Sequence, residues 1–235
     1  MSMYAAINKN SKILALFAIA CTATVGLVNE LTKDRIYTQH QKHLLSTLNS
    51  IIDPKRYNND LTLDCVNVAN MSLGSDKEQT IYLARFNSTP IAGAITTIAP
   101  DGYNGNIELI VAVNIDGSVS GVRTLLHQET PGLGDKIELA KSDWITDFSG
   151  KKLMSNNDSR WAVAKDGGMF DQFTGATITP RAVIKAVKNA TLYFAKNQQA
   201  LFSQKNDCKL DDSFAEIQET QAHAISANRG VNHEN

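Results

Sequence analysis

Excess charge of either sign is the first thing this chain lacks. Lys and Arg number 23 against 24 Asp and Glu over 235 residues. That balance leaves no electrostatic footprint for nucleic acid, and that class of partner is set aside. Cysteine is scarce as well. Three cysteines are too few for a disulfide scaffold, and no CxxC or Cys/His spacing fits zinc or an iron–sulfur cluster. Cys65 and Cys208 can pair if their domain lies outside the cytoplasm, and two unpaired thiols fit the sequence equally well. There is no internal repeat. Hydrophobic residues make up 43 % of the chain, which suits one globular domain with attachments.

Charge is also missing from "ILALFAIACTATVGLV", Ile13 to Val28. Sixteen residues of helix span about 24 Å, slightly short of a bilayer core. Ser11, Leu31 and the stems of Lys12 and Lys33 can extend it. Eight strongly apolar residues favour insertion by roughly 2–5 kcal/mol. A cleaved signal peptide would share these features, and "AIAC" at 18–21 loosely resembles a lipoprotein cleavage site ending at Cys21. The apolar run continues past Cys21 through Val25, Leu27 and Val28, which favours an uncleaved membrane helix. Lys9 and Lys12 before the span are matched by Lys33 and Arg35 after it, so charge does not fix its orientation.

From Asn29 to Ile52 there is neither Gly nor Pro. Leu31, Ile36, Leu44, Leu45, Leu48, Ile51 and Ile52 recur mostly at helical intervals, predicting a helical stalk over 33–54 that Asp53-Pro54 ends. Strand patterns follow at 79–86, 91–99, 106–115 and 118–127, with Asp116-Gly117 marking an antiparallel hairpin. Pro131 is expected to open a short helix over 131–141. Trp144, Phe148 and Trp161 are candidate core anchors, and Pro180 to Lys196 reads as an amphipathic helix. The expected architecture is α+β, an antiparallel sheet with packed helices over 55–200, preceded by one transmembrane helix within 1–32. A polar tail, 201–235, is expected to be mobile.

Residues 171–180 read "DQFTGATITP". Pro180 suits the first turn of a helix, which makes Thr179 the expected N-cap. A phosphate on the Thr179 hydroxyl would sit in a helix-terminus anion site, with Arg181 close by. Gly175 and Ala176 add little bulk. In the plainer reading Thr179 only caps, and Thr174 and Thr177 make loop hydrogen bonds.

The string "DQFTGATIT" resembles the flavinylation motif of the FMN-binding domain family, in which FMN is joined by a phosphoester to the last Thr of (Ser/Thr)-Gly-Ala-Thr-x-Thr. "HQETPGLGDKI" at 127–137 resembles a second segment of that family, found in flavoprotein subunits of the Rnf and Nqr membrane redox complexes. "GYNGNIELIVAVNIDG" and "DGGMFDQFTGAT" are similar to it too. The resemblance spans roughly 100–197 and the N-terminal anchor. It implies covalent FMN on Thr179, with Asp171, Thr174, Gly175, Ala176 and Thr177 as recognition context. It also implies a cofactor-contacting loop of Glu129, Thr130, Pro131, Gly132, Leu133 and Gly134. There Pro131 would stiffen the turn, Gly132 and Gly134 would admit a flat ring, and Leu133 would pack on it. Thr130 would bond the ring's polar edge. Glu129 would assist flavin protonation or brace the loop, and His127 would orient it.

The implied protein is a flavin-bearing electron relay of a Rnf-type complex in the bacterial inner membrane. Its short N-terminal stub would be cytoplasmic and its flavin domain periplasmic. Its partners would be the other members of the complex and a flavin transferase that uses FAD, and no turnover is expected from it alone. The electron flow would drive ion translocation or reduce a redox-sensing regulator. Two alternatives stay open: an NqrC-type component of a sodium-translocating NADH:quinone reductase, and a non-redox, membrane-anchored assembly or binding protein.

Overall fold

The computed structural model describes residues 3–208. It divides into two compact units, at Met1–Ser46 and Thr47–Asn235. The first unit is helical, and its helix α1 (Met3–Ile51) runs into the second. Within α1, Asn10–Lys33 is long and apolar enough to cross a membrane. Its 24 residues measure about 36 Å at the helical rise, against a hydrocarbon core of about 30 Å.

The second unit is built on one antiparallel sheet in simple meander order. Its strands are β1 (Cys65–Asn70), β2 (Ser75–Phe86), β3 (Thr89–Gly102), β4 (Gly105–Asn114) and β5 (Val119–Leu126). The turns explain the order. Asp116-Gly117 closes β4 to β5: Gly117 takes φ +84° and Asp116 accepts the Ser118 N–H at 2.9 Å. Asn87 and Ser88 both have positive φ and join β2 to β3 as a two-residue turn. Asn87 and Asn58 exchange hydrogen bonds at 2.7 and 2.9 Å, which holds that turn.

Register shows why "NIELIVAVNI" reads as an almost continuous apolar run. Val66, Ile81, Ile95, Val111 and Val122 pair across the sheet and share one face. Helix α2 (Ile178–Ser203) covers that face. Phe194 lies where a Cβ on Gly93 would stand 2.3 Å from its ring. On the opposite face Ala112 pairs with Gly121, whose Cβ would touch Ile51 at 3.0 Å. The last turn of α1, with Leu48, Ile51 and Ile52 buried, packs there. Its terminal carbonyls are satisfied by Ser120 (2.6 Å) and Arg123 (3.0 Å). A central strand buried on both faces has no polar side to alternate with.

Trp144, Phe148, Trp161, Phe170 and Phe173 form an aromatic cluster with ring centroids 4.4 to 6.1 Å apart. They extend the core beyond the sheet. Three departures from the sequence reading stand out. The helix expected over 131–141 is only a 3-10 turn, Asp135–Ile137, because the Pro131-Gly132 turn absorbs the first residues. β1 was not expected: it is short, and four of its six residues are not buried. The helix expected over 180–196 starts two residues earlier and continues to Ser203. Cys208 is joined to Cys65 by a disulfide. Of the tail expected over 201–235, the part from 209 onward lies outside the described residues.

Candidate functional site

Three segments meet at the start of α2: the β3–β4 hairpin tip, the loop after β5, and the Gly175–Thr179 approach to the helix. They enclose a cleft of about 280 Å³, near the lower limit for small-molecule sites.

The loop after β5 folds on its own hydrogen bonds. The Thr130 carbonyl accepts the N–H groups of Leu133 (3.1 Å) and Gly134 (3.0 Å). Pro131 presets the turn and Gly132 supplies φ +76°. His127 braces its base: Nδ1 accepts the Glu129 N–H at 3.0 Å, and Nε2 lies 2.8 Å from Glu138 Oε1. Because Nδ1 is an acceptor, the network assigns the ring proton to Nε2, which donates to Glu138.

Glu129 is the buried carboxyl group of the cleft, only 4 % exposed. Its Oε1 accepts the Asn104 N–H at 3.1 Å, and its Oε2 accepts the Thr179 hydroxyl. Two glycines make room for this carboxylate. A Cβ on Gly102 would lie 2.9 Å from Oε1, and one on Gly134 would lie 2.9 Å from Oε2 and 3.0 Å from Thr179 Oγ1. Gly134 therefore serves a close approach between protein groups at an ordinary φ, whereas Gly132 serves the turn.

On the helix side, Phe173 to Ala176 makes a turn closed by Ala176 N–H to Phe173 C=O at 3.2 Å, with Gly175 at φ +82°. Gly175 faces Leu133, 3.3 Å from where its Cβ would be. Thr179 is not the N-cap. Thr177 holds that position, in helical conformation and without a side-chain cap bond. Thr179 sits inside the first turn, fully buried, because Glu129 takes its hydroxyl in place of a backbone N–H. Arg181 is not free to meet an anion either. It grips Asp166 through two hydrogen bonds of 2.7 and 2.9 Å and reaches the Thr177 carbonyl at 3.3 Å. That guanidinium holds the Asp166 carboxyl below the usual carboxylate range.

Eight of the twelve candidate residues line the cleft: Glu129, Thr130, Leu133, Gly134, Gly175, Ala176, Thr177 and Thr179. Pro131 and Gly132 shape the turn from outside it, and Thr174 occupies the exposed side of the second turn. Asp171 is exposed and contributes its carbonyl, which accepts the Trp144 indole N–H at 2.9 Å. Tyr103 and Ile178 line the cleft and were not anticipated. Tyr103 lies at the tip of the β3–β4 hairpin, in the Gly-Tyr-Asn-Gly string that the sequence reading used only for its resemblance to the family. No group of metal-ligating side chains occurs among the described residues.

The family model of the FMN-binding domain matches residues 102–191, and that of the RnfG N-terminal region matches residues 1–51. Every residue lining the cleft falls inside the first stretch. The G subunit of the ion-translocating oxidoreductase complex of Shewanella oneidensis is 54 % identical over 202 residues, 86 % of this chain and 95 % of that protein. Its counterpart of the same name from Vibrio atlanticus is 52 % identical over 88 % of this chain and 99 % of its own length. The chain belongs to the G-subunit family of ion-translocating oxidoreductase complexes. Between the two matched stretches lie residues 52–101, which carry β1, β2 and nearly all of β3. Among solved structures, NqrC of Shewanella oneidensis aligns at a TM-score of 0.40 and 20 % identity, over 63 % of this chain and 74 % of that one.

Proposed function

We propose that this chain is the flavin-bearing electron-transfer component of a Rnf-type, ion-translocating oxidoreductase complex, with FMN joined by a phosphoester to Thr179. Family membership supports the FMN-binding, electron-transport role within a multi-subunit complex. The observation that carries the attachment site is the Thr179 hydroxyl, buried at the head of α2 in a cleft bounded by both motif loops. Bound FMN would supply the electron chemistry, and the protein supplies position and surroundings. Tyr103, Leu133 and Ile178 stand 67, 42 and 46 % exposed at the cleft, and such apolar surface suits a flat ring system. Thr179 would hold the phosphate. The other members of the complex, and a flavin transferase during maturation, are its partners.

Asn10–Lys33 anchors the chain in the inner membrane. The Cys65–Cys208 disulfide supports a periplasmic flavin domain, because such bonds persist in oxidising compartments. The relatives that match at 52–54 % carry the G-subunit name, which favours this reading over the NqrC-type one.

The experiment is loading in a host that makes a flavin transferase. Wild-type protein should show flavin fluorescence in a denaturing gel and gain FMN minus one water on the peptide holding Thr179. Thr179→Ala should lose both. Mass on Thr177 instead would move the site, and a colourless wild type would support a non-redox role.

A further inference from the structure

We infer that Glu129 is the catalytic base of this chain's own flavin attachment, taking the proton from the Thr179 hydroxyl. The inference rests on the reading that Thr179 carries the flavin.

A threonine hydroxyl is a weak nucleophile and needs a base within hydrogen-bond reach. The Thr179 hydroxyl donates to Glu129 Oε2, and no other hydrogen bond is made by that side chain among the described residues. The carboxylate is held from its other side. Oε1 receives the Asn104 N–H, and the Glu129 N–H is fixed by His127, itself tied to Glu138. Gly102 and Gly134 leave the space that both oxygens occupy. A carboxylate buried with two acceptor contacts, and with no ion pair among the described residues, is a costly way to brace a loop. It is a sensible way to keep a base against one hydroxyl.

Thr179 has no exposed surface and lies against the 130–134 turn, where a Cβ on Gly134 would stand 3.0 Å from its hydroxyl, so a donor reaches it only after a local opening of the cleft. That turn closes on backbone bonds to Thr130, while the anchors of Glu129 lie on its N-terminal side and on the β3–β4 hairpin. An opening of that turn need not break the anchors of Glu129.

The donor is a flavin nucleotide whose phosphate forms an anhydride, as in FAD. Thr179 Oγ1 bonds to the flavin-side phosphorus. The anhydride P–O bond breaks, and AMP leaves with the bonding pair. The hydroxyl proton passes to Glu129 Oε2. Nothing is oxidised or reduced. The carboxyl is then neutral beside the new phosphodiester, which avoids two adjacent buried anions.

The test uses the full-length chain in detergent, a flavin transferase and FAD, with covalent fluorescence followed in time. Rates are normalised to the folded fraction, measured by protease resistance. Two shape-matched pairs are compared, Glu129 with Glu129→Gln and Glu129→Asp with Glu129→Asn. Loss of a general base predicts at least about a 10²-fold slower transfer for Gln than for Glu. Asp should load faster than both amides, although Gln matches the native shape better. A merely structural Glu129 would give the reverse order. Gln within twofold of wild type, or Asn equal to Asp, overturns the inference while leaving attachment at Thr179 intact. A wild-type chain that takes up no flavin overturns both.

Discussion

Asp158 shows how much one side chain can organise outside the cleft. Its two oxygens accept the Met154 and Arg160 backbone N–H groups at 3.0 and 3.2 Å and the Arg160 guanidinium at 2.9 and 2.6 Å. Its carbonyl accepts Lys188 Nζ at 3.0 Å, which ties the 154–160 loop to α2. The Arg160 hydrogen bonds, then those from the backbone, hold its carboxyl far below the usual carboxylate range. A depressed folded-state pKa gives stability that is complete above the unfolded value, about 3.9, and lost as pH falls through the folded one. Asp158→Asn should therefore lower the urea midpoint at pH 7. The gap from wild type should narrow only below about pH 4. The two tryptophans of the chain, both buried, report the unfolding. A gap that stays constant down to about pH 2.5 would show that the ionised carboxylate is not what matters.

At the scale of elements, the seating of α2 on the sheet depends on a missing side chain. Gly93 lies in β3, and the Phe194 ring occupies the place of its Cβ. Gly93→Ala overpacks a filled core, at a cost of about 1–3 kcal/mol. That should lower the melting temperature by roughly 2–10 °C. Shortening the ring with Phe194→Leu should recover part of the loss in the double variant, since contacting residues couple. Additive losses would mean that the two do not meet.

The same elements show what was legible in the sequence. Strands β2 to β5 were visible because β2 alternates, β3 and β4 are short or apolar runs rich in β-branched residues, and the Asp116-Gly117 turn points to β5 and fixes one pairing. The Asn87-Ser88 turn was not legible. Serine seldom adopts positive φ, and its support comes from Asn58, a residue 29 positions away. At the site, motif strings located both loops and Thr179. The Glu129–Thr179 contact was not readable, since it depends on two glycines, at 102 and 134, from different segments. Thr179 was misplaced as a cap for the same reason: its partner is distant in sequence, and local capping rules see only neighbours.

Across the whole molecule, the two ends of α2 have separate tasks. Its first turn holds Thr179, and its last leads into Asn206 and Asp207, which cover the open edge of β1. The Asp207 N–H reaches the Cys65 carbonyl at 2.8 Å, and the Asn67 N–H reaches the Asp207 carboxylate at 3.1 Å. Paired in this way, the edge strand offers fewer free backbone groups to another chain. The Cys65–Cys208 bond locks the arrangement across 143 residues of sequence. Closing so long a loop in the unfolded chain is worth roughly 2–5 kcal/mol. Cys208→Ser should lower stability by that amount, equal reduced wild-type protein, and no longer respond to dithiothreitol. Helix α2 is 26 residues long, so its ends lie about 39 Å apart. Covalent flavin loading at Thr179 should then survive Cys208→Ser at temperatures where the variant is folded. In-gel fluorescence of both proteins, matched for folded fraction, decides this. A lost signal in folded variant would mean that the disulfide end of α2 governs the flavin end.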